Sequence, residues 1–183
     1  MKPTVDATTD GATLILPAFW VDEKRFPTEV PVETSLGQVF MEGYDGPANH
    51  FGWMDLVQLK DIIKKCNISR LILQDIDTLG RAGFMNGTIV ACLAYKYKNT
   101  VINYVPENDL SSCTPLYTTI SYGGWECDAN DAKDEIPIHA KNYLRFILVH
   151  TKVKEVCTIG EHSSVTAFWN EHGLPRFKEK HFE

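Results

Sequence analysis

RLILQDIDTLGRAGFMNGTIVACLAYKYKNTVINYV, residues Arg70 to Val105, decides how the fold is read. Arg70 to Ile76 is short, branched and largely apolar, the composition of a strand buried in a parallel sheet. Gly80 and Gly83 bound a loop, because glycine punctuates both helix and strand. Thr88 to Lys98 is compact and alanine-containing and predicts a helix, and Thr100 to Val105 returns to a β-branched strand. Two parallel strands joined by a helix make a right-handed crossover.

Working outward, Ala12 to Phe19 is an apolar run interrupted by a proline, as a first buried strand entering a loop would be. Pro27 and Pro31 lack amide donors and predict an extended or irregular path to Tyr44, with a strand around Gly37 to Met41. Gly43 to Gly52 reads as a loop. Trp53 to Cys66 has apolar residues at helical spacing, with Asn67 as its stop. Beyond the central unit, Ile120 to Trp125 is a candidate strand and His139 to Lys152 a helix. Val156 to Ile159 is a short strand, and Ser163 or Ser164 caps a last helix over Val165 to His172. The expected class is a flavodoxin/Rossmann-like α/β sandwich with a mostly parallel central sheet. It forms one domain, with a core over residues 10–135 and a C-terminal helical extension over 136–183.

The 183 residues are 44% hydrophobic and 23% charged, the range of a chain that folds on its own. A formal charge of −6 gives no general attraction to phosphate, so binding of duplex nucleic acid is not expected. Five cysteines at scattered positions show neither a disulfide framework nor zinc spacing, which fits a reducing cytoplasmic compartment. His139, His150, His162 and His172 have no metal-ligand spacing, and no metal or cofactor is expected. No apolar run reaches membrane-spanning length, and no signal pattern opens the chain, so Asn67 and Asn86 are not expected to be glycosylated despite their sequons.

Three pieces in order resemble the nucleoside 2-deoxyribosyltransferase superfamily: Leu14 to Phe19, then Trp53 to Leu56 leading into the Arg70 to Asp77 strand, then Asn86 to Asp109. The resemblance implies a flavodoxin-like fold, a nucleoside or nucleotide ligand and a homo-oligomer. It also implies a carboxylate nucleophile on the helix after the Gly-Thr turn. That position falls on Ala91 or Val90, and no Asp or Glu occurs from Thr78 to Val105. The expectation is therefore a protein that binds a nucleoside- or nucleotide-derived ligand without the usual nucleophile. One alternative is an active N-glycoside hydrolase or transferase using Asp75 or Asp77; another is a protein-interaction scaffold whose distinctive surface is Ile136 to Glu183.

Candidate ligand contacts follow. Asn86, Gly87 and Thr88 would offer backbone amides at a helix N-terminus to a phosphate, a ribose hydroxyl or a carboxylate; the structural alternative is a capped turn. Asp55 matches the family's base-contacting carboxylate, or is an N-terminal helix charge. Phe19 and Trp20 would stack on a base, or pack in the core. Asp75 and Asp77 end a parallel strand, where open α/β sheets contact ligands, or cap the following loop. Cys92 is expected to be an inert core residue within the helix.

Overall fold

The computed structural model describes residues 4–8, 11–107, 109–120, 138–160, 163–170 and 175–179. Its elements begin with β1 (Thr4–Thr8), β2 (Gly11–Pro17), β3 (Trp20–Asp22), β4 (Glu29–Val30), α1 (Ser35–Glu42), β5 (His50–Gly52) and β6 (Met54–Asp55). They continue with α2 (Leu56–Cys66), β7 (Ile68–Gln74), α3 (Ile76–Asn86), β8 (Ile89–Tyr97), β9 (Thr100–Ile102) and β10 (Thr114–Ile120). The last are α4 (Ile138–Thr151), β11 (Glu155–Gly160), β12 (Ser163–Asn170) and β13 (Pro175–Glu179).

The main sheet runs β1-β2-β7-β11-β12-β13. Its central pairs, β2 with β7 and β7 with β11, are parallel, and the outer pairs are antiparallel. The chain is thus an α/β structure built on a parallel central sheet, the class expected. Leu71 and Leu73 of β7 are fully enclosed while Arg70 is exposed and pairs with Glu155. This alternation marks a strand with one covered face. Leu14, Leu56, Leu59, Tyr143, Leu144 and Val156 join the two leucines in the core. Residues beyond 136 supply α4 and three strands of the main sheet, so β11 lies between β7 and β12.

The helix expected over Trp53 to Cys66 corresponds to α2, which begins only at Leu56, because Met54 and Asp55 are drawn into strand β6. Asp55 caps its start, accepting from the amides of Val57 and Gln58, and Asn67 ends it in the left-handed region at φ 50°. The predicted helix over His139 to Lys152 corresponds to α4, and the strands at Ala12 and Val156 correspond to β2 and β11. No helix among the described residues is long and apolar enough to cross a membrane.

Four segments differ from expectation. Gly80 and Gly83 lie inside α3, where Ile76, Leu79, Gly80 and Gly83 are all buried; their i, i+3, i+4, i+7 spacing is helical. Thr88 to Lys98 is not a helix: Ile89–Tyr97 is strand β8, in a smaller sheet of order β10-β8-β6 with β9 paired to β8. No crossover therefore joins β7 to a parallel neighbour through residues 88–98. Gly37 to Met41 belongs to α1, because the Thr34 hydroxyl accepts from the Gly37 amide at 3.1 Å and Phe40 is fully buried. Ser163–Asn170 is a strand pairing with β11 through Gly160 and Ser163 rather than the helix expected over Val165 to His172. Positions 121–125 of the Ile120 to Trp125 expectation lie outside the described residues.

β8 and β9 form a hairpin whose two loop residues, Lys98 and Asn99, have φ 46° and 63°. Both lie in the left-handed region, as a type I′ turn requires, and Asn-Gly suits that turn better than Lys-Asn. The double substitution Lys98→Asn, Asn99→Gly is expected to raise stability by about 0.5–1 kcal/mol, read as a higher midpoint in urea. No increase would show that Lys98 gains more from lying 4.7 Å over the Tyr97 ring than its backbone loses.

Candidate functional site

Parallel strands expose backbone amides and loops at their carboxyl ends, and ligands of open α/β sheets gather there. Here β2 ends at Pro17, and the Ala18 amide prolongs the β2–β7 pairing by donating to the Gln74 carbonyl at 2.7 Å. The Tyr143 hydroxyl of α4 fixes the same turn by donating to the Ala18 carbonyl at 2.5 Å. One residue beyond β7, Asp75 takes the left-handed conformation at φ 55°, ψ 36° and begins α3 without a capping bond from its own side chain. A non-glycine residue held in that region stores strain, a recurrent mark of functional loops.

Around this corner the structure gathers Tyr44, Asp75, Asp77, Thr78 and Arg81. Asp77 is exposed in the first turn of α3, where the helix dipole favours a negative charge. The Tyr44 hydroxyl is buried with no hydrogen-bond partner among the described residues. Burial, then the nearby Asp75 charge, push its pKa above the ordinary phenol value. Arg81 donates to the Thr78 hydroxyl at 3.4 Å, and Thr78 reaches the Gly43 carbonyl at 3.5 Å, tying α3 to the end of α1. The corner thus offers two carboxylates, one guanidinium and one unpaired phenol, a set suited to a polar ring or a hydroxyl-rich group.

The other sequence candidates lie elsewhere. Asp55 is fully buried; its Oδ1 accepts from two α2 amides and its Oδ2 from Gln58 at 3.1 Å and from the Tyr95 hydroxyl at 2.6 Å. Burial raises its pKa, and those four hydrogen bonds oppose the shift. Phe19 is enclosed, 4.9 Å between ring centroids from Phe40, which meets Trp53 edge-on at 5.3 Å. Trp20 is 7% exposed and lines a separate cavity. Asn86 is the last residue of α3 and Gly87 and Thr88 follow it, so the three end a helix instead of opening one. Gly87 is the C-cap of α3 at φ 71°, and the Asn86 side chain donates to the Thr88 carbonyl at 3.1 Å. A helix C-terminus presents carbonyls and negative potential, the reverse of the amide cradle expected there. Cys92 lies in β8, not in a helix, and burial pushes its thiol up to about 12.

A second polar groove was not legible in the sequence. His50 Nδ1 lies 2.9 Å from Glu29 Oε1 across the β4–β5 pair, in a cleft of about 310 Å³ with Arg25, Glu33 and Asn49 on its walls. The two partners are 21 residues apart, and only strand pairing brings them together. Tyr44 and Arg81 were missed because only the packing of α1 against α3 brings them together. No group of three potential metal ligands occurs among the described residues.

Comparison with known proteins gives a consistent answer. The family model for adenylosuccinate synthetase matches residues 21–165. The adenylosuccinate synthetase of Clostridium perfringens is 36% identical over 143 residues, covering 73% of this chain and 32% of that protein. That of Clostridium kluyveri is 36% identical over 113 residues, covering 60% of this chain and 25% of that protein. A solved structure of fully ligated adenylosuccinate synthetase from Plasmodium falciparum superposes with a TM-score of 0.61 at 22% identity, covering 78% of this chain and 36% of that one. At that identity the superposition speaks for the fold. The chain spans about a third of the length of these relatives. The resemblance to nucleoside 2-deoxyribosyltransferases is thereby overturned, and with it the nucleophile-less glycosyltransferase scaffold, the N-glycosidase alternative and the interaction-scaffold reading. Its third piece needed a helix after Gly87-Thr88, and β8 is there instead.

Proposed function

The chain belongs to the adenylosuccinate synthetase family, and from that premise we propose that it supplies a purine-nucleotide-recognising part of an adenylosuccinate-forming ligase. The observation that carries this is the family match over residues 21–165, which takes in β7, α3 and the acid-bearing corner between them. Adenylosuccinate is a purine nucleotide bearing a dicarboxylate, so such a ligase must hold a purine ring and orient it. Asp75 and Asp77 accept ring N–H and amino donors, while the first-turn amides of α3 receive a hydroxyl or phosphate oxygen.

Because the chain spans about a third of its relatives' length, the test is binding rather than turnover. Titration with GTP, IMP and adenylosuccinate should raise the melting temperature for at least one of them. Asp77→Ala should weaken that nucleotide at least tenfold, since a hydrogen bond to a charged group contributes about 1.5–3 kcal/mol. Asp75→Gly should separate stability from binding. It relieves a left-handed residue, which offsets the loss of the side chain's own interactions, and lowers affinity by removing the carboxylate. No shift with any of the three nucleotides at millimolar concentration, or unchanged affinity in both variants, would sink the reading.

A further inference from the structure

The surface over α2 and α4 differs in charge from the rest of the chain. The formal total is −6, yet from Ile136 to Lys154 the sequence carries Lys141, Arg145, Lys152 and Lys154 and no Asp or Glu. α2 and α4 pack against each other and lead into β7 and β11, neighbouring parallel strands, so they run side by side in the same direction. The chain after α4 is tied to the start of β7, where the Lys154 amide donates to the Ser69 carbonyl at 2.9 Å. On α4, Arg145, Phe146, Val149 and His150 are neighbours at helical spacing and form one strip of surface. Arg145 is exposed, Val149 is 62% exposed, and the Phe146 and His150 ring centroids are 4.3 Å apart. Among the described residues Lys60, Arg145 and Lys152 form no ion pair.

Cations near helix C-termini complement the helix dipole, but like charges held together also repel. Burial and then the Lys152 charge lower the pKa of Lys60, and burial and then the Lys60 charge lower that of His150. The elements around them bring no free carboxylate. β11 supplies Glu155, engaged by Arg70 of β7, and the buried Cys157; β12 has no charged residue; and the Cys92 thiol of β8, pushed up to about 12, is uncharged.

We propose that this strip is a docking surface for an acidic segment of a polypeptide partner, whose carboxylates seat among Lys60, Arg145 and Lys152 while an apolar side chain covers Val149 and Phe146. Charge complementarity names the occupant, because a carboxylate relieves the repulsion among Lys60, Lys152 and a protonated His150. A phosphate polymer extends past the strip and meets the negative remainder of the chain. One exposed valine offers too little apolar surface to hold a membrane. The strip is independent of the corner at Asp75, which lies at the opposite, carboxyl end of β7.

The test uses the full chain and a dye-labelled, capped peptide of sequence Glu-Glu-Leu-Glu-Glu-Leu, with Gln in place of every Glu as the control. Fluorescence anisotropy should show saturable binding of the acidic peptide. Binding should be about tenfold weaker for the glutamine peptide and for the double variant Lys60→Gln, Lys152→Gln, and it should also weaken when salt rises from about 0.05 to about 0.5 M. Affinity should rise as the pH falls from about 7.5 to about 5.5, where imidazole gains its charge and glutamate stays ionised; His150→Gln should remove that rise. If the Lys60 change unfolds the chain, Arg145→Gln with Lys152→Gln, both at exposed positions, decides. Equal binding of the two peptides, no loss in the charge variants, or an unchanged pH dependence in His150→Gln overturns the proposal. Tighter binding of oligothymidylate or of phosphatidylserine vesicles than of the acidic peptide overturns it too.

Discussion

Asp55→Ala should lower stability by about 2–4 kcal/mol, the sum of a lost helix cap and an orphaned buried hydroxyl. Its carboxylate receives the amides of Val57 and Gln58 at 3.0 and 3.1 Å, so its removal unties the first turn of α2. It also receives the Tyr95 hydroxyl at 2.6 Å, from a side chain with no exposed surface. Tyr95→Phe removes one donor and leaves the carboxylate its other three, so its loss should be smaller, about 1–2 kcal/mol. In the double variant Asp55→Ala, Tyr95→Phe no hydroxyl is left stranded, and the two losses should fall short of additive. Urea unfolding of all four proteins checks this, and strict additivity would show that the pair is not coupled.

The same carboxyl sets a pH dependence of definite sign. Burial, the largest cause, raises its folded pKa above the ordinary aspartate value, and the hydrogen bonds offset that only in part. The native state therefore holds the proton at a pH where the unfolded chain has released it. Between the ordinary value and the raised one the unfolded state binds fewer protons, so Asp55's contribution to stability declines as pH rises through that window. Above it the cost of the ionised, enclosed carboxylate is present in full. Asp55→Asn keeps the cap oxygen and should flatten that slope.

Asp55 also shows what the sequence could disclose. Its position before a helical apolar pattern announced a helix start, and the structure adds a cap bond that follows from local chemistry. The parallel centre of the sheet was legible for the same reason: β2, β7 and β11 are short branched runs, and their periodicity is set by their own residues. The order of α3 and β8 was not legible, because Gly80 and Gly83 resemble loop punctuation until helix packing shows them as the small, buried positions of α3. Ala91, Ala94 and Lys96 in β8 suggested a helix, although the alternation of buried Ala91 with half-buried Val90 and of buried Tyr95 with exposed Lys96 follows a strand. Once those two elements are exchanged, Asn86-Gly87-Thr88 passes from the amide end of a helix to the carbonyl end. Asp75 and Asp77 could be singled out from sequence because they follow an apolar strand. Tyr44 and Arg81 reach the same corner only through the packing of α1 against α3.

Gly52→Ala should cost about 3 kcal/mol, near the upper end for overpacking a well-filled site, because the new methyl meets backbone rather than a movable side chain. A Cβ at Gly52 would lie 2.1 Å from the Thr28 carbonyl oxygen and 2.7 Å from its carbon. Thr28 has no exposed surface, and its carbonyl accepts from the Trp53 amide at 3.3 Å. β5 pairs with β3 on one side and β4 on the other through Gly52 itself, opposite Trp20 and Glu29, so the strand cannot slide clear without breaking one pairing. The strain should open β4, expose the Trp53 amide to exchange and draw Glu29 away from His50. Gly87→Ala is the contrast. It has nothing within 4 Å of a new Cβ but a φ of +71°, so its loss comes from backbone strain alone and should be about 1 kcal/mol. Hydrogen exchange and urea midpoints measured side by side separate the two cases: the Trp53 amide should exchange faster in Gly52→Ala and unchanged in Gly87→Ala. Equal losses in both variants with no change at Trp53 would mean that β4 yields to the methyl and the contact is not what holds these strands in register.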